Sequence, residues 1–574
     1  MNKKKSLIGS VLLLFGISSL FLFYSYKVAG ESEGDSSDTP LADLLTSTNG
    51  ENIEVLDYTD LAITQVSDIY KEKNQNKISD KLTKLESEHA YTLENPLVVS
   101  NPYLTNTTGL YVYFTTEEAT KITYTIQTKG YASFSQGLAN DDNEEYTKTH
   151  VYQIIGSIAG LENNISITST SESGEKKTTT ITYTPPAYYT TDNNAYTVED
   201  GTSTTELSNG LYAIIGNRDE EKGRATYYVD NDGIVRAEIP IVGYNSLRLV
   251  PTDDQQMYYA ISSSKIAKIN RLGKVTQVLS LANTDYVLHH DFVLSSDGKT
   301  ILALATSKTA EEEENIVEDR VVKINLLDGS VSEVVNFETL VPSLYEQATD
   351  LEEHSNNIGK LDPIHLNTIQ VVDNGSIIVS SRETSTIMKL SLGQSSEDAA
   401  ITYMMADDSI WEGIGEYRHL LLTKTNNFLS QAGQHSVTYE TDETLKDGQY
   451  YLSMFSNNST VMDSRSSSYD WENFGMDTTA KERSSMGETS YYYRYLVDET
   501  EGTYTLIQSF KVPYSAYISS VEQYNDNIIV DSGAQASFAE YDENGTLIRR
   551  FSKKSGTKFI YRTYKMSFNG FYFA

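Results

Sequence analysis

The feature that most constrains the fold is a weak repeat that fills most of the chain after residue 186. Each copy has a short β-like run, a turn rich in Asp, Asn or Gly, and further runs ending in similar turns, as at Asn231-Asp232-Gly233 and Leu327-Asp328-Gly329. A unit of this kind cannot bury its apolar face alone, so neighbouring copies have to stack. Six copies begin near Leu211, Leu247, His290, His365, His435 and Ile518. The repeat therefore predicts an all-β fold with a six-bladed β-propeller over residues 187–574.

Three histidines occupy the same place in successive copies. They lie in the segments His289-His290-Asp291, His365-Leu366-Asn367 and Gly433-Gln434-His435, and each opens a β-like run. The chain contains eight histidines, so a chance alignment of three is improbable. Since the innermost strands of adjacent blades face one central channel, the three imidazoles should meet there and form a site.

Three converging imidazoles suggest zinc first, because histidine is a common ligand of catalytic zinc. Arg382, however, follows the His365 run by one hairpin and could return toward the same channel. A guanidinium is costly beside a divalent cation and favourable beside sulfate, phosphate or carboxylate. Asn367 lies two residues after His365 on the same strand face and adds a neutral donor. The pattern favours a tetrahedral anion, and we assign no metal ligand and no cofactor.

Histidine can also act as a nucleophile that holds a transferred group between two half-reactions. The rate of such an enzyme should fall as the nucleophile protonates, and histidine usually titrates between roughly pH 5 and 8. The sequence has no G-x-x-x-x-G-K-S/T phosphate loop, so a nucleotide donor is not indicated. The absence of cysteine excludes disulfides and thiolate chemistry, and a net charge of −35 argues against nucleic acid as a partner.

The region before the repeat divides into three parts. Residues 1–30 carry Lys3-Lys4-Lys5 and then an apolar run, which indicates a signal peptide or an N-terminal membrane anchor. We therefore expect an exported protein, extracellular or on the cell surface. Residues 31–94 are predicted as a linker and a partly helical arm. Residues 95–186 alternate polar and apolar positions and predict a small N-terminal β-sandwich, which ends at Pro185-Pro186. Much of the extra length in the propeller falls in the acidic or Ser-rich loops 310–318 and 456–490.

Four motifs together resemble those of the bacterial aryl-sulfate sulfotransferase (arylsulfotransferase) family. They are His289-His290-Asp291, His365-Leu366-Asn367 with Ser380-Ser381-Arg382, Gly433-Gln434-His435, and the ending Glu540-Tyr541-Asp542 with Tyr561-Arg562. The resemblance begins near Asn95 and implies an exported enzyme with a β-sandwich and a six-bladed propeller. It also implies sulfuryl transfer from an aryl sulfate donor to a phenolic acceptor by a ping-pong route, without a nucleotide sulfate donor. The resemblance also suggests a homodimer, and the disulfide of some relatives has no counterpart here.

The resemblance also assigns roles to residues. His435 would be the nucleophile that forms a sulfohistidine, while His290, His365 and Arg382 would bind the sulfuryl oxygens. His290 is chosen over His289 because it directly precedes Asp291, and His289 should then face the other side of the strand. Asn367 and His289 are kept as candidate substrate-binding residues.

Two other functions compete with this interpretation. One is a non-catalytic extracellular propeller whose channel binds anionic ligands without turnover. The other is a metal-dependent hydrolase that uses the same histidines. Stoichiometric metal and loss of activity to chelators would distinguish the hydrolase, and the absence of a covalent adduct would distinguish the binding propeller.

Overall fold

The computed structural model describes residues 52–216, 224–243, 247–349, 360–459, 464, 489–554 and 559–574. The predicted signal or anchor segment, the linker at 31–50 and most of the 456–490 loop lie outside these residues. Within the described part of the chain, no helix combines the length and apolar character needed to cross a bilayer.

Two helices precede the first sheet, α1 (Val66–Ile69) and α2 (Glu72–Glu88). Ile78 and Leu82, one helical turn apart on α2, are buried in the core that the N-terminal sheet shares with the start of the propeller. Gln75 is fully buried on the same helix. Its amide donates to the carbonyl of Tyr103 and accepts from the backbone N–H of Val275. This helix is therefore packed against both β regions.

An antiparallel six-stranded sheet follows the helices. Its strands are β1 (Leu97–Ser100), β2 (Leu110–Thr128), β3 (Phe134–Gly137), β4 (Thr147–Ile154), β5 (Asn163–Ser171) and β6 (Lys176–Tyr183). The long strand β2 pairs with β1 and β4 through its first half and with β3 and β5 through its second half. Much of β2 alternates buried and exposed side chains, as the sequence predicts for a half-buried strand.

The described residues after this sheet form six further sheets of four or five strands. Written from the inner strand outward, the first three are β32 (Arg562–Met566), β8 (Leu211–Ile215), β9 (Arg224–Val229) and β10 (Val235–Ile241); β11 (Leu249–Thr252), β12 (Gln256–Ser262), β13 (Lys265–Asn270) and β14 (Val275–Ser280); and β15 (Tyr286–Leu294), β16 (Thr300–Ser307), β17 (Arg320–Asn325) and β18 (Val331–Asn336). Three short helices follow strands of the third sheet. They are α3 (Lys308–Glu313) after β16, and α4 (Phe337–Leu340) and α5 (Pro342–Tyr345) after β18.

The remaining three sheets follow in chain order. They are β19 (Leu366–Asp373), β20 (Ser376–Ser381), β21 (Thr386–Ser391) and β22 (Ala400–Met405); β24 (His435–Glu440), β25 (Gln449–Ser456), β26 (Ser490–Asp498), β27 (Thr503–Val512) and the short parallel β23 (Thr423–Lys424); and β28 (Ser520–Tyr524), β29 (Asn527–Ser532), β30 (Ser537–Tyr541), β31 (Leu547–Lys553) and β7 (Tyr196–Asp200). The prediction of an all-β fold with a β-propeller is confirmed. The count of six blades and the domain boundaries at 94 and 186 stay predictions.

Side chains on one inner strand accept hydrogen bonds from the backbone of the next. The pairs are Asp291 with Ile369 N at 3.1 Å, Thr368 with Val437 N at 3.4 Å, Ser436 with Val521 N at 3.3 Å, and Ser520 with Thr563 N at 3.0 Å. These contacts join β15, β19, β24, β28 and β32 in succession. Backbone groups facing the channel are thereby satisfied without ladder pairing between sheets.

The ring is closed by strands exchanged between the two ends of the repeat. The C-terminal strand β32 pairs with β8 and forms the inner strand of the first sheet, while β7 pairs with β31 on the outside of the last sheet. The prediction that a copy opens at Leu211 is therefore wrong in one respect. Leu211 begins the second strand of its sheet, because the inner place is taken by a segment about 350 residues later in the sequence.

Candidate active site

The three inner strands that carry the histidines are irregular where the histidines lie. His290 and His365 have φ values of 49° and 47°, and Ser436, directly after His435, has a φ of 54°. Pairing is interrupted at the same places, between Leu288 and Phe292, between Leu366 and Thr368, and between His435 and Thr438. Bulges re-aim side chains, and positive φ at a residue other than glycine is a strained conformation that is concentrated at functional sites.

The bulge in β15 brings His289 and His290 together. Their Nδ1 atoms lie 2.8 Å apart in a hydrogen bond, and their ring centroids are 5.0 Å apart. The expectation that His289 faces the other side of the strand is wrong, because the bulge breaks the alternation of an ideal strand. Burial lowers the pKa of His289 to about 3 and that of His290 well below its usual value, so both imidazoles are neutral near pH 7.

His365 lies beside His290 and is held by two carboxylates. The two rings have centroids 4.9 Å apart. The Nδ1 atom of His365 lies 2.8 Å from Oε2 of Glu318 and is also hydrogen-bonded to Asp362. The same Glu318 oxygen lies 3.8 Å from Nδ1 of His290. Burial, together with the negative charge of Glu318, raises the pKa of Asp362 to about 7, although His365 and Arg382 act against that rise.

Two carboxylates of the site, Glu318 and Asp362, are poorly marked in the sequence. Glu318 ends the acidic segment 310–318, yet its side chain is 1% exposed and its Oε2 lies 2.8 Å from Nδ1 of His365. Asp362 stands three residues before His365, and this spacing from a candidate histidine is the feature that could have indicated it.

Arg382 is placed where β20 ends. Its backbone N–H donates to the carbonyl of His365 at 3.0 Å, and its side chain is almost completely buried beside Glu383. Its positive charge lowers the pKa of both His435 and Asp362, so the guanidinium lies within electrostatic reach of both sides of the site. Arg382 thus contacts His365 through its backbone and acts on His435 through its charge.

His435 begins β24 and is oriented through one ring nitrogen. Its Nδ1 lies 2.8 Å from Oδ1 of Asn457 and 3.0 Å from the carbonyl of Gly433. Burial, with the nearby His365 and Arg382, lowers the pKa of His435 to about 3. Burial therefore moves the protonation of His435 below the range of roughly pH 5 to 8 in which histidine usually titrates. No repeat position or motif in the sequence marks Asn457.

Asn367 and Gln434 connect the strands that carry His365 and His435. The amide of Asn367 donates to the carbonyl of Gln434 at 2.7 Å. Gln434 donates in turn to Ser380 Oγ, and to the carbonyls of Ser381 and Thr386. Both side chains are fully buried. One amide hydrogen of Asn367 is thus committed to the fold, and a contact between Asn367 and substrate stays a prediction.

A second guanidinium, that of Arg562, lies close to the site. Arg562 donates to Asp291 Oδ1 at 2.7 Å and to the carbonyl of Asn367 at 2.9 Å. Arg248 forms two further bonds with Asp291, each of 2.8 Å. Burial alone would raise the pKa of Asp291, but the two guanidinium groups lower it. The ring of Tyr561 lies 6.0 Å from that of His290, so the C-terminal segment lines the site as well as closing the fold.

Two groups of side chains have the ligand types of a metal site. They are His289, His290 and Glu318, and Glu318, Asp362 and His365, with candidate ligand atoms within 4.8 Å of one another in each group. All five side chains are buried. These donors are compatible with a divalent cation, which keeps the metal-dependent alternative open to experiment.

The fold and the site together define a β-propeller that encloses imidazole and guanidinium groups suited to a small anionic group. The arylsulfotransferase (ASST) family model matches residues 197–572, and the arylsulfotransferase Ig-like domain matches residues 97–186. The chain therefore belongs to the arylsulfotransferase family. It is a sulfotransferase, and its substrates are small aryl molecules.

Three solved structures show distant similarity to this chain. A putative 6-phosphogluconolactonase from Bacteroides fragilis is 11% identical, with a TM-score of 0.33, over 78% of this chain and 98% of that one. BamB from Moraxella catarrhalis is 11% identical, with a TM-score of 0.28, over 63% and 91% of the two chains. An oligogalacturonate lyase in complex with manganese is 9% identical, with a TM-score of 0.33, over 63% and 85%. A search of curated protein sequences finds no match. Similarities at this level do not bear on function.

Proposed function

We propose that this protein transfers a sulfuryl group from a phenolic sulfate ester to a phenolic acceptor through a sulfohistidine at His435. The observation that carries the proposal is that His290, His365 and Arg382 cluster near His435. Each of these three groups is nearly buried, and His365 and Arg382 both act on the pKa of His435. The family match indicates the class of reaction. These side chains provide the nucleophile and the hydrogen-bond donors that such a reaction needs.

In the first half-reaction, the lone pair of His435 Nε2 attacks the sulfur of the donor. The N–S bond forms while the bond from sulfur to the aryl oxygen breaks, and that oxygen leaves with the electron pair as a phenolate. Arg382 stabilises charge on the sulfuryl oxygens because its fork of donors matches a tetrahedral oxyanion. His290 and His365 add further donors from the adjacent inner strands.

In the second half-reaction, the acceptor phenol loses its proton to an imidazole of the site, which afterwards releases that proton to solvent, and the acceptor oxygen attacks sulfur. The N–S bond breaks, and its electron pair returns to Nε2. No oxidant, reductant or nucleotide enters the sequence of steps. The low pKa of His435 supports this role, because the free enzyme then keeps the nucleophile neutral at physiological pH. Two parts of the proposal rest on the sequence and the family resemblance. They are export, with the N-terminal segment as a signal peptide or a membrane anchor, and a homodimer.

The test is p-nitrophenol release from p-nitrophenyl sulfate with and without phenol, using protein dialysed against EDTA. We expect phenol-dependent release by the wild type and none by His435→Ala. His419→Ala is the matched control and should retain full activity, because His419 is exposed to solvent. Trapping the enzyme with a ³⁵S-labelled aryl sulfate should yield one adduct, absent from His435→Ala.

Two outcomes would contradict the proposal. Folded protein that binds the sulfate ester without an adduct or release would favour the binding propeller. Release that requires added zinc or manganese, and proceeds equally without phenol, would favour the metal-dependent hydrolase.

A further inference from the structure

Asn457 contacts one of the two ring nitrogens of His435, Nδ1, through its side-chain oxygen. Asn457 lies directly after β25, 22 residues beyond His435, and is fully buried. Its Nδ2 donates to the carbonyls of Ser515 and Ile518, at 2.8 and 2.9 Å. Because both of these partners are acceptors, the orientation of the amide is fixed and Oδ1 has to face His435.

We propose that Asn457 is a positioning residue that fixes the tautomer of His435, keeping the proton on Nδ1 and the lone pair on Nε2. This inference rests on the proposed function. Oδ1 of Asn457 and the carbonyl of Gly433 are both acceptors within 3.0 Å of Nδ1. A neutral imidazole carries one N–H, and two acceptors at Nδ1 require it there.

The arrangement serves both half-reactions. When Nε2 bonds to sulfur, the ring carries the sulfuryl group on Nε2 and the original proton on Nδ1, and so becomes an imidazolium. Asn457 Oδ1 then accepts a stronger, charge-assisted hydrogen bond. When the acceptor oxygen takes the sulfuryl group, the electron pair returns to Nε2 and the ring recovers the same tautomer. The proton on Nδ1 does not leave during the cycle.

Asn457 also ties the nucleophile to the following sheet. Ser515 and Ile518 precede β28, and Ser490, which begins β26, donates to the carbonyl of Asn457 at 2.9 Å. Two segments therefore hold Asn457 in place, one through its side-chain amide and the other through its backbone carbonyl. A side chain held in this way preorganises the ring that it orients, because rotation of the imidazole would break the bond to Oδ1.

The direct test is ¹⁵N NMR of the whole protein labelled at its eight histidines, with the His435 signals assigned by their loss in His435→Ala. We expect a protonated Nδ1 and an unprotonated Nε2 at pH 7. Protonation at Nε2 would overturn the proposal. This measurement does not depend on catalysis, so it separates failure of the inference from failure of the proposed function.

Kinetics supply the second test. Asn457→Ala should lower kcat roughly 10- to 100-fold with little change in the KM of the donor, because Gly433 O remains to hold Nδ1. A larger loss of kcat, up to ~10⁴-fold, is expected only where loss of the orienting partner leaves the histidine in the wrong tautomer. Asn163→Ala is the matched control, a buried asparagine that likewise donates to backbone carbonyls but lies in the N-terminal sheet. Its kcat per folded molecule should equal that of the wild type. A kcat for Asn457→Ala within about twofold of the wild type would overturn the inference.

The variant Asn457→Asp gives a readout that a purely structural role would not change. A carboxylate beside Nδ1 stabilises the imidazolium and should raise the pKa of His435 by roughly 1–3 units. His365 and Arg382, which lower this pKa, and His290, whose own pKa responds to His435, are unchanged in the variant. An acid limb of kcat/KM should therefore appear between about pH 4 and 6 in this variant and not in the wild type. Identical pH profiles for active wild type and variant would count against Asn457 acting through His435.

Discussion

Asp291→Asn tests whether the channel is held together by one buried carboxylate. Asp291 is fully buried and accepts two hydrogen bonds from Arg248 and one from Arg562, with lengths of 2.7 to 2.8 Å. It also accepts from the backbone N–H of Ile369 at 3.1 Å. One side chain on β15 thus connects to β19, to β32 and to Arg248, the residue directly before β11. The substitution keeps its volume while removing its charge.

The expected loss follows from what the substitution leaves behind. The Arg562 guanidinium is 1% exposed and would lose its only carboxylate partner among the described residues. Removing one member of a buried ion pair costs about 3–5 kcal/mol, because the remaining charge stays buried without compensation. The carboxamide can keep one acceptor oxygen for an arginine or for Ile369, but it has to turn its donor NH₂ toward another donor. We expect the free energy of unfolding to fall by about 3–5 kcal/mol.

The assay is equilibrium urea unfolding at pH 7, followed by far-UV circular dichroism and tryptophan fluorescence. With an m value of ~3 kcal/mol/M, the predicted loss moves the midpoint down by ~1 M or more. Asp297→Asn is the control in the same sheet. Asp297 lies in an exposed turn and Asn keeps its acceptor oxygen, so that curve should overlay the wild type. A loss below ~1 kcal/mol for Asp291→Asn would refute the reasoning, since it would mean that the buried arginines do not depend on this charge.

Two further predictions concern the chemistry. The folded pKa of His435, about 3, lies below its ordinary value, so the nucleophile is already neutral above that pH. The pH profile of kcat/KM should therefore show no acid limb from His435 between about pH 5 and 8. An acid limb in that range that shifts when Asn457 is substituted, but not when Asp362 is, would contradict the prediction. Arg382→Gln removes the guanidinium and should lower kcat/KM about 10²- to 10³-fold, as expected for loss of a donor to a developing oxyanion. A decrease of less than tenfold would show that Arg382 does not contact the sulfuryl group.

The sequence by itself determined the features that depend on local chemistry. Alternation of apolar and polar residues and Asp/Asn-Gly turns act over a few residues, and they indicated the β-fold and most of the repeat boundaries. The equivalent places of His290, His365 and His435 were visible for the same reason. Because each of them opens a repeat, the pattern alone was enough to assign these three residues to inner strands.

Tertiary structure decided the features that join distant segments. The pairing of β32 with β8 depends on ring closure, which no local pattern encodes. The contact of His289 with His290 depends on a bulge at positive φ, which surrounding contacts have to stabilise. Glu318 and Asn457 look like ordinary polar residues in the sequence. They became part of the site because packing removed them from water and left each a specific partner, Glu318 with His365 and Asn457 with His435.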